Sequence, residues 1–249
     1  MTMTTAARPD ARRHEEPGDD VAQRQLAAWD PEWAAIYHRV VSNPWNDGVL
    51  PRKTAALIVV ALKASCTARN AEGTRAAIRE ALAAGATRDE VLTVLKMAAL
   101  LAIHSCSLGA PLLLAAIQER GGSSHKSEEP PATPACDAMR ALGQWNAAWD
   151  PFFALDPVWT DQFMAAGLGI YAGGVLPPKE VELLSIALDA SVTHMYAPGT
   201  GRHINGALAA GATPEEVMAV LKLCVAFGSA SLQLGVPILA EELARPDKP

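Results

Sequence analysis

Four polar side chains in the C-terminal half of the sequence have the chemistry needed to move protons: Glu182, His194, Tyr196 and His203. A histidine titrates near neutral pH, so its imidazole can deliver a proton to a substrate or remove one. A carboxylate beside an imidazole orients the ring and selects the nitrogen that carries the proton. If folding brings these side chains together, they can form a small acid–base site.

These residues belong to the second copy of an internal repeat. Ala81–Thr87 and Ala207–Thr213 both read ALAAGAT, and the similarity continues on either side without a gap, from 50–115 in the first copy to 176–241 in the second. The two copies provide an internal control, because core positions should match in both whereas catalytic residues need to survive in only one.

The copies differ at positions that matter for chemistry. The first copy has Ala56 where the second has Glu182, and Ala77 where the second has His203. The difference also runs the other way, since His104 of the first copy has an alanine as its counterpart. The acid–base residues are therefore predicted to lie in the second copy. His104 either completes the site across the repeat or is a buried structural histidine.

The local sequence signals are helical in both copies. Thr87 and Thr213 each precede a glutamate by three residues in the pattern of a capping box, and a glycine two residues before each threonine suits the left-handed end of a preceding helix. The apolar spacing predicts helices at about 52–66, 74–84 and 88–103. Because no useful stretch alternates with a period of two, the sequence predicts an all-α fold.

A segment rich in Gly, Ser, Pro and charged residues separates the two copies and is typical of a linker. The predicted organisation is a disordered tail at 1–20, a first helical unit at 21–119, a linker at 120–137 and a second helical unit at 138–249.

Charge and hydropathy argue against several classes of protein. The net charge is −6 and no stripe of Lys and Arg is present, so nucleic acid is not expected as a partner. No apolar run reaches the roughly 18 to 20 residues of a membrane helix, and the polar N-terminus lacks the apolar core of a signal peptide. The four cysteines contain no C-x-x-C pair. We therefore expect a cytoplasmic protein with reduced thiols and no membrane partner.

Two motifs of the second copy carry a family resemblance. They are L-P-P-K-x-x-E-L at Leu176–Leu183 and H-x-x-x-A-L-x-x-G-A-T-x-E-E at His203–Glu216. The chain resembles the carboxymuconolactone decarboxylase family, which includes the AhpD-like alkylhydroperoxidase proteins, over about residues 25–118 and 145–243. The resemblance implies tandem duplicated AhpD-like helical units. Relatives with one unit commonly form rings of six, so it also implies a homo-oligomer, a trimer of double units.

The AhpD-like branch of that family carries a redox-active C-x-x-C-x-x-x-H motif, which this chain lacks. Aligned on His203, the two cysteines would fall at Tyr196 and Gly199, and in the first copy at Asn70 and Gly73. A thiol–disulfide relay needs a nucleophilic thiolate and a resolving partner, so peroxidase activity of that type is rejected. The decarboxylase branch also lacks the cysteine pair, and the resemblance implies cofactor-free chemistry on a lactone or related carboxylated ring.

The resemblance and the acid–base chemistry together suggest a role for each residue. His203 is assigned as the general acid/base, Glu182 as the group that orients it, His194 as a further candidate catalytic residue that also contacts the substrate, and Tyr196 as a substrate contact. The remaining candidate substrate contacts are Arg202, Thr200 and His104.

Several of these roles predict where the residue lies in the structure. Arg202 is a candidate clamp for a substrate carboxylate, and Thr200 is the predicted N-cap of the helix whose first turn holds His203. Backbone N–H groups at the start of that helix would stabilise the negative charge that develops on an enolate oxygen. They would also disfavour the protonated form of the His203 imidazole. Glu182 could instead pair with Lys179. No metal is expected, because the H-E-x-x-H spacing is absent, and no cofactor is expected.

Three functions are compatible with the sequence. The leading one is a cofactor-independent decarboxylase or lactone-processing enzyme that acts on a small carboxylated ring compound in aromatic-compound breakdown. The alternative is a non-catalytic binding or assembly protein that has kept the fold, which the loss of polar residues from the first copy favours. A peroxidase that uses single thiols such as Cys66 or Cys224 is a weaker third option.

Overall fold

The computed structural model describes residues 19–122 and 131–245 of the chain. Over these residues the chain forms helices joined by turns, with no strand, so the predicted all-α fold is confirmed. Residues 1–18 of the predicted tail (1–20) lie outside the described residues. The central part of the predicted linker, 123–130, also lies outside them.

The main helices of the two copies occupy equivalent positions. The N-terminal half contains α1 (Asp19–Trp29), α2 (Pro31–Asn46), α3 (Arg52–Ala64), α4 (Ala71–Ala83), α5 (Arg88–Leu100) and α6 (His104–Glu119). The C-terminal half contains α7 (Pro134–Ala141), α8 (Asp150–Leu155), α9 (Pro157–Tyr171), α10 (Pro178–Ala190), α11 (Ala197–Ala209), α12 (Pro214–Ala226) and α13 (Ala230–Leu243). Helices α3 to α6 therefore correspond to α10 to α13.

The described residues divide into two compact units. The smaller one comprises those of 1–38 and 229–249, and within it α1 packs against α13. The larger one comprises those of Arg39–Gly228 and contains helices α3 to α5 of the first copy together with α10 to α12 of the second. The predicted boundaries of two separate helical units, at 21–119 and 138–249, stay a prediction.

Within the larger unit the two copies pack around an approximate two-fold axis. The hydroxyl oxygens of Thr67 and Thr193, which occupy equivalent positions, are 2.8 Å apart. The hydroxyl of Thr54 donates to its own counterpart, the carboxylate of Glu180, at 3.2 Å. A residue can meet its own counterpart only near a two-fold axis, as in a symmetric dimer interface. The duplication thus gives an internal dimer within one chain.

The core of this internal dimer is centred on α3 and α10, which pack against each other. Both helices are apolar on several faces, and Ala56, Leu57, Ile58 and Ile186 are fully buried in one cluster that spans the two copies. A helix that is apolar nearly all round has to be buried. The central position of α10 explains why polar residues on this helix are buried as well.

The capping boxes predicted at the start of α5 and α12 are both present. The hydroxyl of Thr213 accepts a hydrogen bond from the backbone N–H of Glu216 at 3.2 Å, and the Glu216 carboxylate accepts one from the backbone N–H of Thr213 at 2.8 Å. Thr87 makes the same pair of bonds in the first copy. Gly211 precedes the second cap with φ of +87°, which confirms the expected left-handed helix end.

Two long helical stretches are apolar enough to cross a membrane by length and composition alone. They are Arg88–Glu119 and Pro214–Leu243, and most of each apolar window is not buried. The core helices of water-soluble proteins can pass the same test, so this finding is weak support for membrane insertion. The expectation of no membrane partner stays a prediction.

The cap at Thr213 provides a test of the local structure. Thr213→Ala removes the side-chain acceptor of the first helical turn and should lower the free energy of unfolding by about 1 kcal/mol. Thr213→Ser keeps the acceptor and should remain close to wild type. Urea denaturation of the two variants checks this, and equal stability of Thr213→Ala and wild type would contradict the role of the cap.

Candidate active site

The candidate site is built on α10 and α11, which pack closely against each other. Glu182 lies in the first half of α10 and His203 in the middle of α11, and the two side chains form a buried hydrogen bond of 2.6 Å between Oε2 and Nδ1. Each residue is only 6% exposed. The sequence prediction that Glu182 orients His203 is therefore matched by direct contact of the two groups.

A glycine makes room for this contact. A Cβ at Gly206 would approach the carboxylate carbon of Glu182 to 2.7 Å, so a side chain there would push the carboxylate from its observed position. The first copy has the reverse arrangement, with Glu80 at the position of Gly206 and Ala56 at that of Glu182. Glu80 there receives a hydrogen bond from Arg52 at 2.7 Å. At this pair of positions each copy thus has one carboxylate, and only the second copy directs it at a histidine.

The hydrogen bonds around His203 define its resting tautomer. Arg202 Nη2 lies 2.9 Å from His203 Nε2, and because a guanidinium can only donate, Nε2 must accept. Nδ1 then carries the proton and donates it to Glu182. Burial lowers the pKa of His203, the hydrogen bond to Glu182 opposes this, and the Arg202 charge lowers the pKa further. His203 is therefore a neutral imidazole at pH 7.

Asp189 is a central site residue that the sequence analysis missed. It lies on α10 and is 2% exposed. Its Oδ2 is 3.8 Å from Nε2 of His203, and its Oδ1 is 3.8 Å from Nδ1 of His104. Oδ2 has no hydrogen-bond partner among the described residues. Burial raises the pKa of Asp189 to about 7, although the positive charge of Arg202 opposes the shift. At neutral pH this carboxyl group holds a proton for a large part of the time.

The signal for Asp189 was present in the comparison of the two copies. Asp189 occupies a position of α10 where the first copy has Lys63, which is a change of charge inside a matched motif. Gly199 on α11 is a second indication of Asp189, because a Cβ at residue 199 would collide with Oδ2 of Asp189. The same comparison that singled out Glu182 and His203 would have found it.

His104 joins the site from the first copy. Its Nδ1 is 2.6 Å from Nε2 of His194, and its ring stacks on that of Tyr196 with the centroids 3.8 Å apart. Burial lowers the pKa of His104 to about 4, and His194, His203 and Arg202 add to the effect. Burial also lowers the pKa of His194. Of the two readings left open for His104, the structure favours participation in the cluster.

A cavity of about 90 Å³ connects these polar groups to an apolar wall. Its polar lining comes from His104, Tyr171, Ser185, Asp189, Arg202 and His203. Its apolar lining comes from Met97, Leu100, Leu101, Ile103, Met139, Trp149, Phe163, Met164, Gly167, Ile170 and Leu188. An engineered cavity of about 150 Å³ holds benzene, so this one has to widen to take a ring of that size, and its three methionines are the most flexible apolar side chains of the wall.

Other predicted site residues lie behind this lining. Among the described residues, Glu182 supports His203 from the far side, and Thr200, His194 and Tyr196 do not contribute to the cavity wall. His194 and Tyr196 instead contact His104, as described above. Their predicted roles as direct substrate contacts stay predictions, as does the role of Thr200.

Two local expectations were wrong. Helix α11 begins at Ala197 with Tyr196 as the N-cap residue, so Thr200 does not cap it; its hydroxyl donates to the Tyr196 carbonyl at 3.0 Å. His203 consequently lies beyond the first turn, and burial is the main cause of its lowered pKa. The alternative partner of Glu182, Lys179, pairs with Glu216 at 2.8 Å instead.

One group of side chains is compact enough to be considered for a metal ion. Ligand atoms of His104, Asp189 and His194 all lie within 4.8 Å of one another. Two nitrogen ligands of a tetrahedral zinc ion are about 3.4 Å apart, which follows from bond lengths of about 2.0–2.1 Å. The 2.6 Å between His104 and His194 is a hydrogen-bond distance, so this arrangement is a hydrogen-bonded pair beside a carboxyl group.

Comparison with known proteins agrees with this architecture. The sequence profile described as the carboxymuconolactone decarboxylase family matches residues 31–117 and 157–239. The chain belongs to the carboxymuconolactone decarboxylase family. A crystal structure from Burkholderia xenovorans LB400 superimposes with a TM-score of 0.79 and 31% identity, covering 94% of this chain and 98% of that one. That protein is a gamma-carboxymuconolactone decarboxylase subunit by provisional assignment. No functionally curated protein matches the chain significantly.

In this member of the carboxymuconolactone decarboxylase family, the two positions that would hold redox cysteines in the AhpD-like branch are used differently. The ring of Tyr196 stacks on His104, and the space beside Gly199 is taken by the Asp189 carboxyl group. The replaced thiol positions thus help to hold the acid–base cluster together.

The raised pKa of Asp189 predicts a specific pH dependence of stability. The carboxyl group of Asp189 loses its proton near pH 3.8 in the unfolded state and near pH 7 in the folded state. Between these values the free energy of unfolding therefore falls as the pH rises. Relative to wild type, Asp189→Asn should therefore gain stability from pH 4 to 7, with a limiting slope of about 1.4 kcal/mol per pH unit.

Urea denaturation of both proteins at several pH values measures this difference. Asp137→Asn is the matched control, because its carboxylate is 70% exposed, and it should show no such gain. A difference between Asp189→Asn and wild type that stays constant from pH 4 to 7 would contradict a buried, protonated Asp189.

Proposed function

We propose that the protein is a cofactor-independent decarboxylase or lactone-processing enzyme that acts on a small carboxylated ring compound. The observation that supports this most strongly is the placement of Arg202 and His203 on the polar end of an otherwise apolar cavity, with Glu182 fixing the imidazole from behind. A cation, an acid–base group and an apolar wall are what a carboxylated ring requires.

The proposed chemistry assigns a role to each of these side chains. Arg202 binds the substrate carboxylate, and its buried Nε has no hydrogen-bond partner among the described residues, which leaves a donor for a ligand. Loss of carbon dioxide moves an electron pair into a neighbouring carbonyl and leaves an enolate. His203 then protonates the carbon, and Glu182 stabilises the imidazolium that carries the proton. In a lactone hydrolase, the same imidazole would activate water.

The charge of the cavity wall favours a substrate with a single carboxylate. Among its described lining residues Arg202 is the one permanent cation, and Asp189 opposes additional negative charge whenever it is ionised. Aromatic and aliphatic side chains supply the rest of the wall. We therefore expect a substrate whose body beyond the carboxylated centre is apolar.

The thiol-dependent alternative is disfavoured by the surroundings of the cysteines. Burial raises the pKa of Cys224 to about 12 and that of Cys136 to about 11, so neither forms a thiolate at neutral pH. Cys66 is exposed, but no C-x-x-C partner accompanies it. Peroxide consumption that disappears in the Cys66→Ser plus Cys224→Ser double variant would restore the peroxidase option.

The acid–base roles predict graded losses of activity. With carbon dioxide release and ring opening measured on carboxymuconolactone and on lactones that carry a single carboxylate, His203→Gln should lower kcat by about 10²–10⁴-fold, because it removes the proton-transfer group. Glu182→Gln should lower kcat less, since the imidazole remains but loses its orientation and its charge partner.

His38→Ala serves as the control for these assays, because this exposed histidine is not part of the cavity wall. Its activity should equal that of wild type. If His203→Gln and wild type convert the substrate equally fast, the site assignment is wrong. A protein that binds such compounds through Arg202 without converting them would support the non-catalytic binding alternative.

We further propose that the chain assembles as a homo-oligomer, with a trimer of double units as the expected form. Support comes from exposed leucines on α6: Leu108 is 69%, Leu112 is 65% and Leu113 is 52% exposed. The equivalent helix α13 exposes Leu234 and Leu239 to 69% and 51%. Apolar stripes of this kind on monomeric surfaces are rare and mark association surfaces.

Disrupting this stripe tests the assembly. Leu112→Glu should shift the mass measured by light scattering from about three times the 26.2 kDa of one chain toward the monomer, because it buries a charge in the contact. Leu142→Glu changes an exposed leucine outside α6 and α13 and should leave the mass unchanged. A wild-type protein that is monomeric at micromolar concentration would contradict the proposal.

A further inference from the structure

Five ionisable side chains form one continuous line through the candidate site. His194 contacts His104 at 2.6 Å, His104 faces Asp189 at 3.8 Å, Asp189 faces His203 at 3.8 Å, and His203 contacts Glu182 at 2.6 Å. His104 comes from the first copy, whereas the other four residues come from the second. The line therefore draws on both copies of the repeat.

The proposed reaction needs a proton source, because decarboxylation consumes one proton in each turnover. The carboxylate leaves as carbon dioxide, and the carbon that retains the electron pair must take up a proton. In the resting site His203 cannot supply it, since Nε2 carries no proton and accepts a hydrogen bond from Arg202. A source of protons has to lie next to Nε2.

We propose that His194, His104 and Asp189 form a proton-supply line that reloads His203 from solvent in each turnover. This inference rests on the proposed function and adds a role for residues that are not needed for substrate binding. Asp189 holds the proton next to His203 and is the proton store. His104 transfers a proton from His194 to Asp189, and His194 takes a proton from solvent.

The position of Asp189 suits a proton store. Its carboxyl group is buried, Oδ2 faces Nε2 of His203, and this oxygen has no other hydrogen-bond partner among the described residues. The ionisable and charged groups that face it are His104 on α6 and Arg202 and His203 on α11. Its raised pKa keeps the proton available near pH 7.

The transfer steps balance as follows. When Arg202 turns to the substrate carboxylate, Nε2 of His203 is freed and takes the proton from Oδ2 of Asp189. After carbon dioxide leaves, Nε2 gives that proton to the substrate carbon. His194 takes a proton from a hydronium ion of the solvent on Nδ1 and, as an imidazolium, gives its Nε2 proton to Nδ1 of His104. His104 passes this proton from Nδ1 to Oδ1 of the Asp189 carboxylate, and rotation of the carboxyl group brings it to the side of His203, so one solvent proton enters for each product formed.

The distances and exposures agree with this direction of flow. His194 is partly exposed and does not line the cavity, so it can meet solvent without meeting substrate. The 2.6 Å contact to His104 is already a hydrogen bond. The two 3.8 Å gaps on either side of Asp189 need a small rotation of the carboxyl group or one bridging water, and catalytic contacts often tighten when substrate binds. The low pKa of His104 means that it holds the proton only briefly before passing it to Asp189.

The first test is independent of any substrate. In a ¹³C NMR titration of protein with labelled aspartate carboxyl groups, one signal should titrate near pH 7 and disappear in Asp189→Asn. His104→Ala should shift the midpoint of that signal, while His38→Ala should not. If every aspartate signal titrates below pH 5, Asp189 is no proton store and the inference is overturned, whether or not the proposed reaction is right.

The second test uses turnover of a carboxylated lactone. Asp189→Asn should lower kcat by roughly 100-fold with partial recovery in Asp189→Glu, and His194→Ala should lower it by about tenfold. Added imidazole should restore His194→Ala, because a small buffer can replace an entry group near solvent, and should not restore Asp189→Asn. Folding of each variant is checked by its urea midpoint.

Two outcomes would overturn the supply line. One is a His194→Ala variant with wild-type kcat at low buffer concentration. The other is activity that a chelator abolishes and Zn²⁺ restores, which would make His104, Asp189 and His194 a ligand set. If wild type converts none of the lactones while the NMR titration behaves as expected, the proposed function fails and the proton store stands.

Discussion

The hydrogen bond between Glu182 and His203 is the interaction on which the rest of the site depends. It is buried between α10 and α11, where it fixes the imidazole tautomer and directs Nε2 toward the cavity. The cost of burying a carboxylate is offset only because an imidazole N–H meets it at 2.6 Å. Gly206 is required for the same reason, since any side chain there would displace the carboxylate.

Duplication explains how such a polar arrangement can sit inside a helical core. The matched copies pack α3 against α10 around an approximate two-fold axis and bury mostly alanine, leucine and valine. This shared core stabilises the larger unit, and the two copies differ at the polar positions beside it: only the second has the carboxylate–histidine pair and Asp189. His104 shows that the first copy contributes to the cluster, although Ala56 and Ala77 stand at its own equivalents of Glu182 and His203.

Much of the fold could be predicted from the sequence, because its signals are local. The repeat, the capping boxes at Thr87 and Thr213 and the absence of strands each follow from short-range patterns. The approach of Glu182 and His203 could be predicted once both were placed on neighbouring helices. Asp189 was missed because the prediction rested on positions where only one copy is polar, whereas Asp189 matches another charged residue, Lys63. The error at Thr200 arose because Tyr196, a residue without a capping side chain, ends the loop before α11.

The most direct measurement of the central claim is a ¹H–¹⁵N NMR spectrum of the His203 ring, recorded while a carboxylated lactone is added. At pH 7 the account predicts a neutral ring with the proton on Nδ1, and a His203 signal that shifts to saturation as ligand fills the cavity, while the His38 signal stays in place. A His203 ring that is protonated on Nε2 at rest, or whose signal is unmoved by every ligand that binds, would contradict it.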